Sequence, residues 1–426
     1  MWLRLAAVAA CFLLPCASVR AQTGSSPLTL DDAFARVAET HPDLRLFGPR
    51  GDLLRAERER TLLRPAWTAG ATLENAFGTG EARGLHGAEL TLSLASVFER
   101  GGKLDARRAL AQSRIDALAV ERESRRLDLL ADTARRFLAT VAAHRQREIA
   151  DADIAQRKRT VVAARQRLHA GASPESVVLT AQAALAKAEL DRARADQAYL
   201  SSRQHLAALW GERTPGFQIA AADPLRLPDV GDAASLAALL DRTPELRQFV
   251  DEQRVREARL RLARSESAAD LDWSVGVRRL QAEGDVALVA GVSMPLGSRS
   301  RAQPAIRAAE AELAALEIER ESKGIALYST LAEAHGQYRV AQLEVARLGD
   351  DVLPKLAKAE AAAERAYRAG AISYLEWAQL QSERTSVRKQ RLEAALAAQR
   401  ALIELQRLTG EPLVADAAPS AQGILP

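Results

Sequence analysis

Four landmarks recur along the chain in the same order, about two hundred residues apart. HPDLR at 41–45 answers TPELR at 243–247, and ERES occurs at 121–124 and again at 319–322, an offset of 198. Gly171 answers Gly370 and Gly211 answers Gly410, both at an offset of 199. A duplicated unit has to bury the same faces in both copies, so the repeat constrains the architecture before any single residue is considered. It divides the chain into a first repeat at 22–214, a connector at 215–232 rich in Pro and Gly, a second repeat at 233–412 and a tail at 413–426.

Each repeat predicts the same elements. A helix of moderate length comes first, at 30–64 and 233–269, the first opened by Thr29 as a cap with Asp31 and Asp32 at its positive end. Two strand candidates follow. A very long helical run comes next, Lys103 to Ala170 and Ala302 to Ala369, 68 residues in each case. At 1.5 Å per residue each run is roughly 100 Å long. After Gly171 and Gly370 a return helix runs 172–210 and 371–409. Leu127, Ala134 and Val141, then Ile154, Val161 and Leu168, repeat at heptad spacing, so the helices pack along their length. Pro354 is expected to kink or break the second long run.

The strands carry the second constraint. Over about 66–77 the chain alternates Trp67, Ala69, Ala71, Leu73 against Thr68, Gly70, Thr72, Glu74. Over 86–97 it alternates Ala88, Leu90, Leu92, Leu94 against Glu89, Thr91, Ser93. Leu271, Trp273, Val275 and Val277 alternate with polar and small residues over 270–281, and 285–296 is apolar on one face from Val286 to Met294. Alternating segments of about ten residues fit a transmembrane barrel, with Trp67 and Trp273 at the interface. They also fit a soluble sheet covering a core. Four strands do not close a barrel, and lipid does not tolerate an open edge, so spanning strands require several copies to pool them.

The chain ends and composition agree with export. MWLRLAAVAACFLLPCASVRAQ reads as a secretory leader at 1–21, with a basic start, a short apolar run and small residues at the cleavage site. Both cysteines, Cys11 and Cys16, fall inside it, so the remainder has no thiol for a disulfide. Cys16 as a lipid-anchored residue is disfavoured by Pro15, which sits where a small residue is needed. The formal net charge of +4 is spread without a basic block, so no nucleic-acid partner is expected.

Taken together, these residues resemble the TolC-like outer-membrane efflux proteins of Gram-negative bacteria. The duplicated plan of two strands, a long helix, a turn and a return helix is similar to that family's plan. Glu99-Arg100-Gly101-Gly102-Lys103, leading into the first long helix, resembles the Glu-x-Gly-Gly-Lys motif of the cation-efflux, CzcC-like branch. GVSMPLGSRSRAQPAI at 291–306 departs from that branch at the equivalent place in the second repeat.

The resemblance implies a mainly α fold with a small transmembrane β part: a homotrimer sharing a 12-stranded barrel in outer-membrane lipid, with an α-helical tunnel crossing the periplasm. It implies two partners, a periplasmic adaptor of the membrane-fusion type and an inner-membrane pump of the resistance-nodulation-division type. The hairpin tips would dock the adaptor through Gly171, Ala172, Ser173, Arg368, Gly370, Ala371, Ser373, Tyr374 and Leu375. Glu376 falls on the family's first acidic gate position and Gln379 on the second, so a ring of Glu376 carboxylates would attract cations. An ordinary exposed helix charge is the other reading of Glu376.

No cofactor, bound metal or enzymatic activity is expected. Gly291 to Pro295 lacks the final glycine of a nucleophile elbow. His41, His86, His144, His169, His205 and His335 are scattered, and Met294 is the one methionine beyond the leader, so soft metal ligands are lacking. Divalent cations such as cobalt, zinc or cadmium are the cargo that the motif implies. Organic toxicants or proteins passing through the same duct, or a periplasmic coiled-coil scaffold, are the alternatives.

Overall fold

The structure is a computed structural model and describes residues 27–410. The expected leader at 1–21, with Cys16, and the tail at 413–426 lie outside the described residues.

The first helical run is not continuous. α1 (Leu30–Thr40) opens with a capping box in which the Thr29 hydroxyl accepts from the Asp32 N–H at 3.1 Å and the Asp32 carboxylate accepts from the Thr29 N–H at 3.0 Å. It ends at His41, whose ψ of 127° is extended, and α2 (Pro42–Arg45) and α3 (Phe47–Leu62) follow. The proline ring disfavours helical geometry in the residue before it and suits the first helical position, so Pro42 ends one helix and opens the next. The second repeat does the same. α6 (Ala233–Ala237) and a 3₁₀ turn stop at Thr243, and Pro244 opens α7 (Pro244–Ser265), capped by the Thr243 hydroxyl. The single helices expected over 30–64 and 233–269 are therefore corrected: the prolines of HPDLR and TPELR divide each of them.

β1 (Thr68–Glu74), β2 (Glu89–Phe98), β3 (Leu271–Leu280) and β4 (Asp285–Ser293) form one antiparallel sheet in that order. β2 and β3 belong to different repeats and pair over ten residues, from Glu89 opposite Leu280 to Phe98 opposite Leu271. Among the described residues β1 and β4 each have a neighbour on one side only.

α4 (Lys103–His169) is a single helix of 67 residues, and α5 (Glu175–Ala207) returns along it. The corresponding run in the second repeat is in two pieces, α8 (Ser298–Arg347) and α9 (Leu353–Ala369), joined by a π turn at Leu348–Val352; α10 (Tyr374–Thr409) then returns. Pro354 follows this π turn directly: the Leu353 N–H bonds back five residues to the Leu348 carbonyl, so the helix runs on past a residue with no N–H to give.

The core is a chain of separate clusters, as helices of this length require. One joins Val37, Phe137, Val141, Tyr199 and Leu206. A second joins Leu331, Tyr338, Leu402 and Leu405. A third, at the far end, joins Val161, Val178, Tyr367, Tyr374 and Trp377. The connector is tied across the second cluster, where the Tyr338 hydroxyl donates to the Pro228 carbonyl and burial pushes its pKa up to about 12.

Candidate functional site

Both hairpin tips are made by the same backbone device. Gly171 and Gly370 have φ of +68° and +81°, a conformation that costs glycine nothing. Behind each, two amides reach back to helix carbonyls: Gly171 N–H to Leu168 O (2.9 Å) and Ala172 N–H to Arg167 O (2.9 Å), then Gly370 N–H to Tyr367 O (3.0 Å) and Ala371 N–H to Ala366 O (2.8 Å). No atom lies within 4 Å of a Cβ built on Gly171, so backbone conformation and not space demands the glycine.

The two tips are packed against each other. Tyr367 stacks on Trp377 at 5.1 Å between ring centroids, and Arg167 lies over Tyr367 at 4.9 Å. Arg167 also donates to the carbonyls of Tyr367 and of Ala172, clamping the second tip to the first. Tyr374, expected to face an adaptor, is instead buried at 8% exposure in this aromatic cluster. Gly171, Ala172, Arg368, Gly370, Ala371, Ser373 and Leu375 are exposed, and Ser173 is half-buried. Arg368 pairs with Glu364 at 2.6 Å.

Glu376 and Gln379 are both exposed on the first turns of α10. The Glu376 carboxylate has a local task as well, since it accepts from the Ser373 N–H at 2.8 Å and from the Ser373 hydroxyl at 3.1 Å. Ser373 and Glu376 form a capping box, which holds the carboxylate at the start of α10.

One layer further along lies a buried polar group that sequence reasoning missed. Arg157 is 7% exposed and donates to the Gln381 side chain (3.3 Å) and the Ser382 hydroxyl (3.1 Å), with Asp153 at 3.3 Å. Gln381, 1% exposed, also exchanges hydrogen bonds with Thr160. Arg157 is three residues from the heptad position Ile154. That spacing was the available sign that it faces the neighbouring helix.

At the opposite end the sheet has two unlike faces. Leu73, Leu90, Leu92, Leu94, Val275, Val277, Val286, Leu288 and Val292 share one face by register, and all are exposed. The other face carries Gly70, Ser93, Gly276 and Gly291, with Arg278 paired to Glu74 (3.2 Å) and Glu89 (2.8 Å) at one end. Trp67 and Trp273 meet edge-to-face at 5.2 Å on the apolar face, at the end nearest the helices.

Glu99, Gly101, Gly102 and Lys103 form the turn from β2 into α4. Gly101 and Gly102 both have positive φ, and a Cβ on Gly101 would stand 2.8 Å from the Ser265 carbonyl. The Lys103 ammonium bonds Asp270 at 2.7 Å, the Arg100 N–H reaches the other Asp270 oxygen at 3.1 Å, and Glu99 is bonded by Arg107. The motif thus clasps the β2–α4 junction to the α7–β3 junction and joins the repeats.

Among the described residues no group of three His, Cys, Asp or Glu side chains stands ready to hold a metal ion, and no helix is long and apolar enough to cross a membrane. The geometry offers exposed hairpin tips at one end and a sheet with one bare apolar face at the other. This defines a class: a duplicated, mainly helical chain with a four-stranded sheet and long helical hairpins.

The chain belongs to the family described as outer membrane efflux protein, matching it over residues 56–212 and 236–411. It is an outer-membrane efflux channel protein that extends into the periplasm. It is 29% identical over 282 residues to the cobalt-zinc-cadmium resistance protein CzcC of Cupriavidus metallidurans, covering 66% of this chain and 67% of that protein. Its fold is that of the CusC channel, with a TM-score of 0.74 at 16% identity, covering 89% of this chain and 91% of that one. The open-state MtrE outer membrane channel of Neisseria gonorrhoeae matches with a TM-score of 0.71 at 18% identity, covering 90% and 89%. Proteins of the family form trimers and work with a periplasmic adaptor and an inner-membrane pump.

Proposed function

We propose that three copies of this chain close head to tail into one duct, and that the duct passes divalent metal cations. One observation carries the assembly. Within the chain, besides the tip packing and the junction clasp, the first repeat lies along the second through β2 on β3, α4 on α7, and α4 on α10. Repeat symmetry calls for three more: β4 on β1, α8 on α3, and α8 on α5. The chain does not pair β4 with β1, and α8 has no comparable packing on α3 or α5.

The faces those contacts would cover are apolar and open. On α8 they are Ile318, Ile325, Tyr328, Val340 and Leu343, each more than half exposed; on α5 they are Leu179, Leu190 and Leu200; on α3, Leu53. A neighbouring copy supplies all three partners in one operation. Two copies would give eight strands, whose barrel interior is filled by side chains, so three is the smallest number that leaves a water-filled path. The seam has to keep its faces matched: Ala69, Ala71 and Leu73 must lie beside Val286, Leu288, Ala290 and Val292, because a one-residue slip would put apolar residues in the lumen.

The cargo rests on the likeness to the cobalt-zinc-cadmium resistance protein. The exposed Glu376, repeated around the axis, supplies the local charge for cation entry. The tips dock the adaptor through Leu375 and the exposed turn residues, energy comes from the inner-membrane pump, and the chain itself performs no chemistry. A periplasmic scaffold would have no use for a sheet with one bare apolar face.

The test is growth of a strain lacking this protein on cobalt, zinc, cadmium, nickel, copper and organic toxicants. Selective sensitivity to divalent metals, reversed by the intact gene, is expected. Sensitivity to dyes and detergents alone would overturn the cargo and leave the duct.

A further inference from the structure

The apolar face of the sheet carries one charged residue among its described strand positions, Arg279. β3 alternates Leu271, Trp273, Val275, Val277 and Arg279 on that face, and the register sets Arg279 between Leu90 of β2 and Val286 of β4. It stands at the end of the sheet away from the helices. Trp273 lies six residues back along the strand, roughly 20 Å at about 3.3 Å per residue.

Its neighbour in sequence behaves differently. Arg278 points to the other face and is bound by Glu74, Glu89 and the Thr91 hydroxyl. The Arg279 side chain is exposed and has no ion pair or hydrogen bond among the described residues. The acids of the adjacent hairpin do not reach it: Asp285 is opposite Leu280 on the far face, and Glu283 lies in the turn.

If the apolar band is in lipid, as the channel reading requires, a cation at its midplane would cost about 2–4 kcal/mol and one at its edge close to nothing. Arg279 is at the edge. There, an arginine directs its fork to the first layer that offers oxygens, and a planar guanidinium matches a phosphate with two parallel hydrogen bonds.

From this placement we infer that Arg279 binds the phosphate of an anionic lipid headgroup in the outer leaflet, with Leu90 and Val286 against the acyl chains. Three copies set three such sites around the barrel. The inference rests on the membrane reading of the sheet, and the test separates the two.

The full-length protein is reconstituted into vesicles of phosphatidylcholine alone, and of phosphatidylcholine with phosphatidylglycerol or lipid A. Lipid retained by the assembly is then counted by native mass spectrometry. Wild type should hold anionic lipid about five-fold more strongly than Arg279→Gln, the weight of one arginine at an anionic surface. Arg279→Lys should fall between them, and Lys358→Gln, far along α9, should match wild type.

Equal retention by Arg279→Gln and wild type, both inserted, would overturn the lipid site alone. Inorganic phosphate displacing the lipid at low millimolar concentration would mean a soluble anion is the ligand, and would overturn it too. Wild type failing to insert into either vesicle would overturn the membrane reading and the site with it.

Discussion

Glu376 is where a structural and a functional role share one side chain. Its carboxylate closes the capping box with Ser373 while remaining exposed at the start of α10. Glutamine also completes a capping box, so Glu376→Gln removes the charge and keeps the helix. The expected outcome is a stability change within a few tenths of a kcal/mol and a loss of cation preference in planar-bilayer recordings. Unchanged cation preference would sink the gate-ring proposal. Glu376→Ala would lose both functions and cost about 1 kcal/mol in addition.

Gly276 is the complementary case. A Cβ there would stand 2.6 Å from the Leu92 carbonyl, so Gly276→Val should weaken the β2–β3 pairing by about 1–3 kcal/mol. A lower temperature of heat-modified migration on gels would report it. The turn glycines were legible in the sequence because Gly171 and Gly370 each interrupt an otherwise unbroken helical run. Trp377 and Arg157 were not. Trp377 is buried by Tyr367 from another helix, and Arg157 by Gln381 some two hundred residues away, partners that local spacing does not name.

Among the elements, the two long runs differ where the repeat predicts likeness. α4 is continuous, but the second run carries the π turn at Leu348–Val352 ahead of Pro354. Arg391 of α10 closes on this turn: its guanidinium donates to the Val345 carbonyl at 3.2 Å and lies where a Cβ on Gly349 would be. Gly349→Val should force Arg391 aside and destabilise the α9–α10 hairpin by about 1–2 kcal/mol, seen as faster amide exchange in α9 with α4 unaffected. Pro354 was legible as a disturbance of the helix, but the π turn was not, since one of its partners, Arg391, comes from the returning helix.

The first helices carry an acid sensitivity. Hydrogen bonds from Thr29 hold the Asp32 carboxyl below its ordinary 3.8, and the hydrogen bond from Arg125 does the same for Asp43. A carboxyl depressed in the folded state contributes stability that is present above its unfolded pKa and is lost as pH falls through the folded value. Amide exchange in α1 and α2 should therefore accelerate, relative to α4, as pH falls below about 4. Equal acceleration in all helices would contradict this. Pro42 and Pro244 are in plain view in the sequence, yet 30–64 and 233–269 were expected as single helices, because a proline is also compatible with a kink in a continuing helix.

For the molecule as a whole, the unmatched contacts are the strongest statement that the chain makes about itself. The tandem repeat, the four strands and their alternating faces were all legible, because they are periodic. How the repeats meet was not, since it depends on which helix faces touch. Ile325, 65% exposed in the middle of the α8 stripe, tests the seam directly. Ile325→Asp should leave the single chain folded and prevent assembly, since an unpaired carboxylate would be buried between copies. A monomeric species with unaltered helix content is the expected result.

The most direct measurement is the mass of the full-length protein extracted in mild detergent, determined by native mass spectrometry. One species of three copies is expected, lost in Ile325→Asp. A stable monomer or dimer of the wild-type chain in the membrane fraction would contradict this, because neither can close four strands per copy around a water-filled path.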